Sequence, residues 1–122
     1  MVEVICDTSF LIHLSTKKIK NLPSVETEIG PINFVVPQIV IKELKHLLND
    51  PDKKNISEKT LESIKNFKTN DIDGKTADLG ILDFIKKEGG IIATMDKNLK
   101  NQIKESGGSV LSMHNDKIVL EN

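Results

Sequence analysis

The chain has 122 residues, of which 38% are hydrophobic and 29% charged, a balance that builds one packed core and excludes a disordered, collagen-like or coiled-coil chain. Its 17 basic residues, all lysine, meet 18 acidic ones, and the net charge of −1 supplies no global attraction to nucleic acid, so any polyanion must be held locally. A single cysteine, Cys6, excludes an internal disulfide and a multi-cysteine zinc site and fits a reducing compartment, for which the cytoplasm is the expectation. The opening MVEVICD carries an acid at position 3 and only a short apolar run. Neither a signal peptide nor a membrane anchor is therefore expected, and one domain over residues 1–122 is.

Val2 to Cys6 reads as a short strand, after which Thr8 or Ser9 would cap a helix through Leu11, Ile12 and Leu14. Residues 17 to 31 hold Lys17, Lys18, Lys20, Pro23, Gly30 and Pro31 and read mostly as connection, with a short helix from Ser24 as an option. Asn33 to Val36 is a β-branched run stopped by Pro37, and a helix follows from Gln38 to Leu48, ended by Asn49, Asp50 and Pro51. Ser57 would cap a helix carrying Leu61, Ile64 and Phe67. A break from Asn70 to Gly74 leads to a helix from Lys75 to Glu88, terminated by Gly89 and Gly90.

Ile91 to Met95 reads as a buried strand, Lys97 to Glu105 as a helix ended by Gly107 and Gly108, and Val110 to Met113 as a further strand. Asn115 and Asp116 mark a hairpin turn between Leu111 and Leu120. Strands alternating with helices predict an α/β fold, a three-layer sandwich with a small, mostly parallel twisted sheet flanked by helices. In such sheets ligands gather at the carboxyl ends of the strands.

Two acids follow strands at that edge, Asp7 after Val-Ile-Cys and Asp96 after Ile-Ile-Ala-Thr-Met. An aspartate there can simply cap the next helix. The helices carry sharper evidence. Glu43 has Ile39, Val40 and Leu47 at helical spacing and so falls in the apolar stripe, whereas Lys42, Lys45 and His46 take the opposite face. Asp78 likewise falls among Ile81, Leu82 and Ile85, while Asp83 lies with Lys75, Lys86 and Lys87 as an ordinary solvated acid. Core-facing acids at a helix end could reach the surface or pair with lysine. Clustered ones repel each other unless a cation intervenes, and four oxygen donors without a histidine or cysteine cluster suit Mg²⁺ or Mn²⁺ better than Zn²⁺.

Asp7, Glu43, Asp78 and Asp96 stand in the stretches VICDTSFLIHL, VPQIVIKELKHL and KTADLGILDFIKKEGGIIATMDKNLKNQIKESGGSVL. In this order, with the T-x-D from Thr94 to Asp96 and the K-x-L-K after it, they resemble the PIN-domain nucleases over nearly the whole chain. The resemblance implies a PIN-like sandwich whose acidic pocket binds Mg²⁺ or Mn²⁺ to cleave single-stranded RNA. By position, Asp7, Glu43, Asp78 and Asp96 would be the catalytic acids and metal ligands, and Ser9 and Thr94 would be supporting hydroxyls. Many relatives carry a further acid where this chain has Asn98, which leaves one metal or two open. Part of the sequence looks like the pre-ribosomal RNA processing branch and VapC-type toxins are very close, so the implied partner is a ribosomal precursor or an antitoxin. Many members dimerise, and an apolar helix face could support a homodimer.

Lys97, Lys100 and Lys104 follow Asp96 on adjacent turns and would contact flanking phosphates or form a solvated face. With no tryptophan or tyrosine and four phenylalanines, base stacking has few platforms. Phe10, Phe67 and Phe84 fit helix core positions and Phe34 a strand core. His13, His46 and His114 lack metal-ligand spacing, and Cys6 reads as a small buried strand residue. Two rivals to the endoribonuclease stand beside it. An aspartate-nucleophile phosphatase would want a second aspartate at position 9, which holds Ser9. A PIN-like RNA- or protein-binding module without cleavage would lack a ligand acid, and all four are present.

Overall fold

The computed structural model describes residues 2–17 and 29–121; the connection read over residues 17 to 31, with its optional helix from Ser24, lies largely outside them. The elements are β1 (Val2–Cys6), α1 (Thr8–Thr16), β2 (Ile32–Pro37), α2 (Gln38–Leu47), α3 (Lys54–Ser63), β3 (Lys68–Asn70), α4 (Ala77–Glu88), β4 (Ile91–Ala93), α5 (Lys97–Glu105), β5 (Ser109–His114) and β6 (Lys117–Glu121). The sheet order is β3-β2-β1-β4-β5-β6. All neighbouring pairs are parallel except β5 with β6. This is the mostly parallel α/β sandwich that the alternation predicts. β1 lies at the centre, with Ile5 opposite Val35 on one side and Ile92 on the other.

Three of the parallel strands carry their buried residues toward their C-terminal ends: Val4, Ile5 and Cys6 in β1, Val35 and Val36 in β2, Ile92 and Ala93 in β4. Because both faces of a parallel sheet are covered, consecutive rather than alternating residues are buried. Helices α1, α2 and α3 pack against one another, and α4 packs against α5. Phe34 joins helix to strand, its ring 5.9 Å from Phe10 and 6.1 Å from Phe67.

Chain reversal after β1 occurs at the centre of the sheet: β2 goes to one side and β4 to the other. That switch point opens a crevice at the carboxyl ends of β1 and β4, the place where open α/β sheets bind ligands. On its far wall α4 is held close. A Cβ on Gly80 would sit 2.7 Å from the Asp73 carbonyl oxygen, and the Ile39 amide donates to the Ile72 carbonyl at 3.0 Å. The 72–74 segment is thus wedged between α2 and α4, which fixes the first turn of α4 against the crevice.

Four local expectations change. The cap of α1 is Asp7, whose carboxylate accepts the Phe10 amide, rather than Thr8 or Ser9. Ser57 lies inside α3, fully buried, and donates to the Leu44 carbonyl, so it joins α2 to α3 instead of capping. α3 ends at Ser63, which leaves Ile64 and Phe67 beyond it. The polar triplet Lys68–Asn70 forms an edge strand on β2, where sequence showed only a break. The hairpin is as read, with Asn115 at φ 53° and Asp116 at φ 62°, the left-handed pair that a two-residue turn needs and that Asn and Asp tolerate.

Candidate active site

Asp7 follows the last residue of β1 and is 3% exposed. Its Oδ1 accepts Ser9 Oγ at 2.8 Å and the Phe10 amide at 3.0 Å, and its Oδ2 accepts the Thr94 hydroxyl. Burial pushes its pKa up and the charge of Asp78 adds to that, while the three hydrogen bonds from Thr94, Phe10 and Ser9 pull the other way. Thr94 is itself fully buried and accepts the Asp96 amide at 3.0 Å. Ser9 accepts the Met95 amide at 3.1 Å. Both hydroxyls therefore stitch the end of β1 to the segment after β4, and so set the spacing between Asp7 and Asp96.

Asp96 caps α5 through Oδ1, which accepts the Leu99 amide at 2.9 Å. Glu43 comes from the middle of α2 and is half-buried. Its Oε1 accepts Thr8 Oγ1 at 2.8 Å and its Oε2 accepts the Ala77 amide at 3.0 Å. The sequence placed Glu43 on the wrong face for a solvated acid, and the reason is visible: it bridges the starts of α1 and α4. Thr8 and the Ala77 amide are the participants that sequence reading missed, and neither carries a signal outside the folded chain.

Asp78 sits in the first turn of α4. It is exposed rather than core-facing, because its stripe begins at the rim. Among the described residues neither of its oxygens accepts a hydrogen bond. Its pKa is nonetheless raised, first by partial desolvation and then by the charges of Asp96 and Glu43. Asp78 thus lies within charge range of Asp7, Glu43 and Asp96. Asp83, by contrast, points to solvent and pairs with Lys87 at 3.2 Å.

This donor set suits a hard divalent cation by its chemistry: carboxylates only, mutually repelling, with Asp78 and Asp96 Oδ2 accepting no hydrogen bond among the described residues. Among those residues, no three His, Cys, Asp or Glu side chains form a ready-made ion cage. Closure around an ion would fall to Asp78 and Asp96, the two exposed acids.

The basic groups divide unequally. Lys100 and Lys104 point to Glu121, at 3.4 and 2.8 Å; Lys97 and Asn98 are exposed on α5. On the other side a cleft of about 480 Å³ is lined by Thr8, Lys42, Glu43, His46, Leu47 and Lys75. His13 pairs with Asp116 at 3.1 Å, and His114 lies 3.8 Å from Glu121. Burial pushes the Cys6 thiol well up, with Asp7 adding to it, so Cys6 is an inert core residue.

The architecture has relatives among solved structures. One, described as the PIN domain endonuclease Utp24, superposes with a TM-score of 0.76 at 27% identity, covering 98% of this chain and 90% of its own. The chain has the fold of a PIN domain, and this likeness supports membership of the PIN-domain family. A second neighbour is a domain of a functionally unknown protein from Methanocaldococcus jannaschii DSM 2661. It shares the PIN fold at a TM-score of 0.62 and 19% identity, with 93% of this chain and 92% of that one covered. No protein-family model and no curated protein matches the sequence. The likeness to a PIN endonuclease supports a nuclease-like function for this PIN domain. Among the described residues no helix is long and apolar enough to cross a membrane.

Proposed function

We propose that this PIN domain is a divalent-metal-dependent endoribonuclease that hydrolyses phosphodiester bonds in single-stranded RNA. The observation that carries the reading is the tying together of the acid-bearing segments at the carboxyl ends of β1 and β4: Thr94 and Ser9 join Asp7 to the segment that carries Asp96, and Glu43 accepts the Ala77 amide next to Asp78. The likeness to a PIN domain endonuclease at 27% identity supports the reaction class.

Asp7, Glu43, Asp78 and Asp96 would hold Mg²⁺ or Mn²⁺. When bound, such an ion neutralises the phosphodiester's charge and lowers the pKa of a water beside it. The protein's own groups do the rest. Asp7, with both oxygens held by Ser9, Phe10 and Thr94, is a fixed reference carboxylate. Glu43, held by Thr8 and Ala77, keeps α4 and therefore Asp78 at a set distance from it. Asp96 uses only Oδ1 for capping, so its Oδ2 can orient an attacking water. Attack by that water on phosphorus leaves a 5′-phosphate and a 3′-hydroxyl.

The test is incubation of the pure protein with single-stranded RNA in Mn²⁺ or in chelator, comparing wild type with Asp78→Asn. Cleavage that requires Mn²⁺ and the intact Asp78 supports the reading; cleavage indifferent to both sinks it. A second reading, an RNA- or protein-binding PIN module that does not cleave, draws on the structural hydrogen bonds that already occupy Asp7, Glu43 and Asp96 Oδ1. It predicts RNA binding in Mn²⁺ with no product.

A further inference from the structure

We propose that the cleft lined by Lys42, His46 and Lys75 is the track along which the sugar-phosphate backbone of the RNA enters the acidic rim; this rests on the endoribonuclease reading above. An acidic rim repels a polyanion, and a net charge of −1 offers no compensating field, so attraction must come from a local cluster of cations. Two groups of basic residues flank the rim, one on α5 and one on α2, and the structure separates them.

On the α5 side, Lys100 and Lys104 are drawn to Glu121, whose carboxyl is held down to about 2, first by the Lys104 ammonium and then by the Ser112 hydroxyl. Lys100 keeps only 13% of its side chain exposed. Two of the three cations there already share the Glu121 carboxylate. On the α2 side, the cleft of about 480 Å³ shares Glu43 and Thr8 with the rim itself. Lys42, His46 and Lys75 are all exposed. Among the described residues Lys75 and His46 have no acid within ion-pair distance. Lys42 contacts Asp73 at 2.6 Å with 55% of its side chain exposed, a solvent-screened pair of little strength that a phosphate can replace.

The geometry also gives direction. Lys42, Glu43 and His46 are on α2 and Lys75 is two residues before Ala77, whose amide Glu43 accepts. A backbone lying in the cleft therefore has cations along its length and reaches the acids at Glu43. A second cleft, about 220 Å³, is walled by Asp71, Asp73, Asp83 and Glu88 with only Lys87 of opposite sign, and repels the same strand.

The experiment measures anisotropy of a fluorescein-labelled ten-residue oligouridylate in EDTA, where cleavage plays no part. Variants are K42A/K75A, K97A/K100A and, as a charge-matched control on α3, K54A/K59A. The expected result is an affinity about tenfold weaker for K42A/K75A, with the slope of log Kd against log salt reduced by about 1.4, and little change in the other two. In Mn²⁺, K42A/K75A should raise KM with kcat nearly kept. Equal weakening in all three, or loss only in K97A/K100A, overturns the proposal, as does cleavage by K42A/K75A with wild-type KM. Selective loss in K42A/K75A without cleavage in any metal would uphold the track while removing the nuclease reading.

Discussion

The carboxylate of Glu43 in α2 accepts the backbone amide of Ala77 at the start of α4, 3.0 Å away. An acid assigned to the reaction therefore also holds a helix in place, and its removal has two separable effects. Glu43→Ala leaves the Ala77 amide and the Thr8 hydroxyl without their acceptor and should destabilise the fold by about 1–3 kcal/mol in urea unfolding. Glu43→Gln keeps one carbonyl oxygen, so its melting point should lie between those of Glu43→Ala and wild type. Both should lose Mn²⁺-dependent cleavage. Loss of activity with stability unchanged in Glu43→Ala would separate the site from α4.

Metal binding should register as stability. An ion held by the rim at a hundred times its Kd adds about 2.7 kcal/mol, so millimolar Mn²⁺ should raise the melting temperature of wild type and leave Asp78→Asn unmoved. In EDTA the order reverses. Asp78 has a raised pKa from desolvation, Asp96 and Glu43, so the folded chain holds more protons than the unfolded one as pH rises from ~4. Stability then falls through that window and stays level above it. Asp78→Asn lacks this decline, and its advantage over wild type should appear only above pH ~4.

Glu121 gives the opposite pH dependence. Its carboxyl is held down to about 2 by Lys104, Ser112 and Lys100. A depressed acid stabilises above its unfolded value, ~4.3, and the contribution disappears as pH falls toward 2. Wild type should therefore exceed Glu121→Gln in stability at pH 7, with the two urea curves converging by about pH 2. Curves that stay parallel from pH 7 to 2 would remove the charge network from the account of β6.

Gly80→Ala tests the wedge under α4. An exposed helical glycine replaced by alanine gains about 1 kcal/mol. Here the new Cβ would lie 2.7 Å from the Asp73 carbonyl oxygen, a backbone atom that cannot rotate away. The substitution should cost about 1–3 kcal/mol instead, and should lower cleavage through displacement of Asp78. A rise in melting temperature would contradict it.

The legible part of the fold was what local chemistry decides. α5 has its bounds as read because Asp96 caps it and glycines follow, and the Asn115–Asp116 turn follows from left-handed tolerance. β3 escaped because Lys-Thr-Asn has no apolar period; only its pairing with Val35 to Pro37 makes it a strand. At the site, Glu43 was visible as an acid in an apolar stripe. That Asp7 and Asp96 both cap helices as well as facing the rim was present as the alternative reading, and geometry combines the two. The engagement of Lys100 was not legible, since Glu121 reaches it only through the folding back of β6.

The central position of β1 has a consequence during synthesis. Residues 7, 43, 78 and 96 come from four successive stretches, and β1 meets β2 on one flank and β4 on the other. A ribosome that has released only the first half of the chain has made Asp7 and Glu43 but nothing to set opposite them. No truncated product ending before Asp96 holds all four acids, so early termination yields pieces with an incomplete rim.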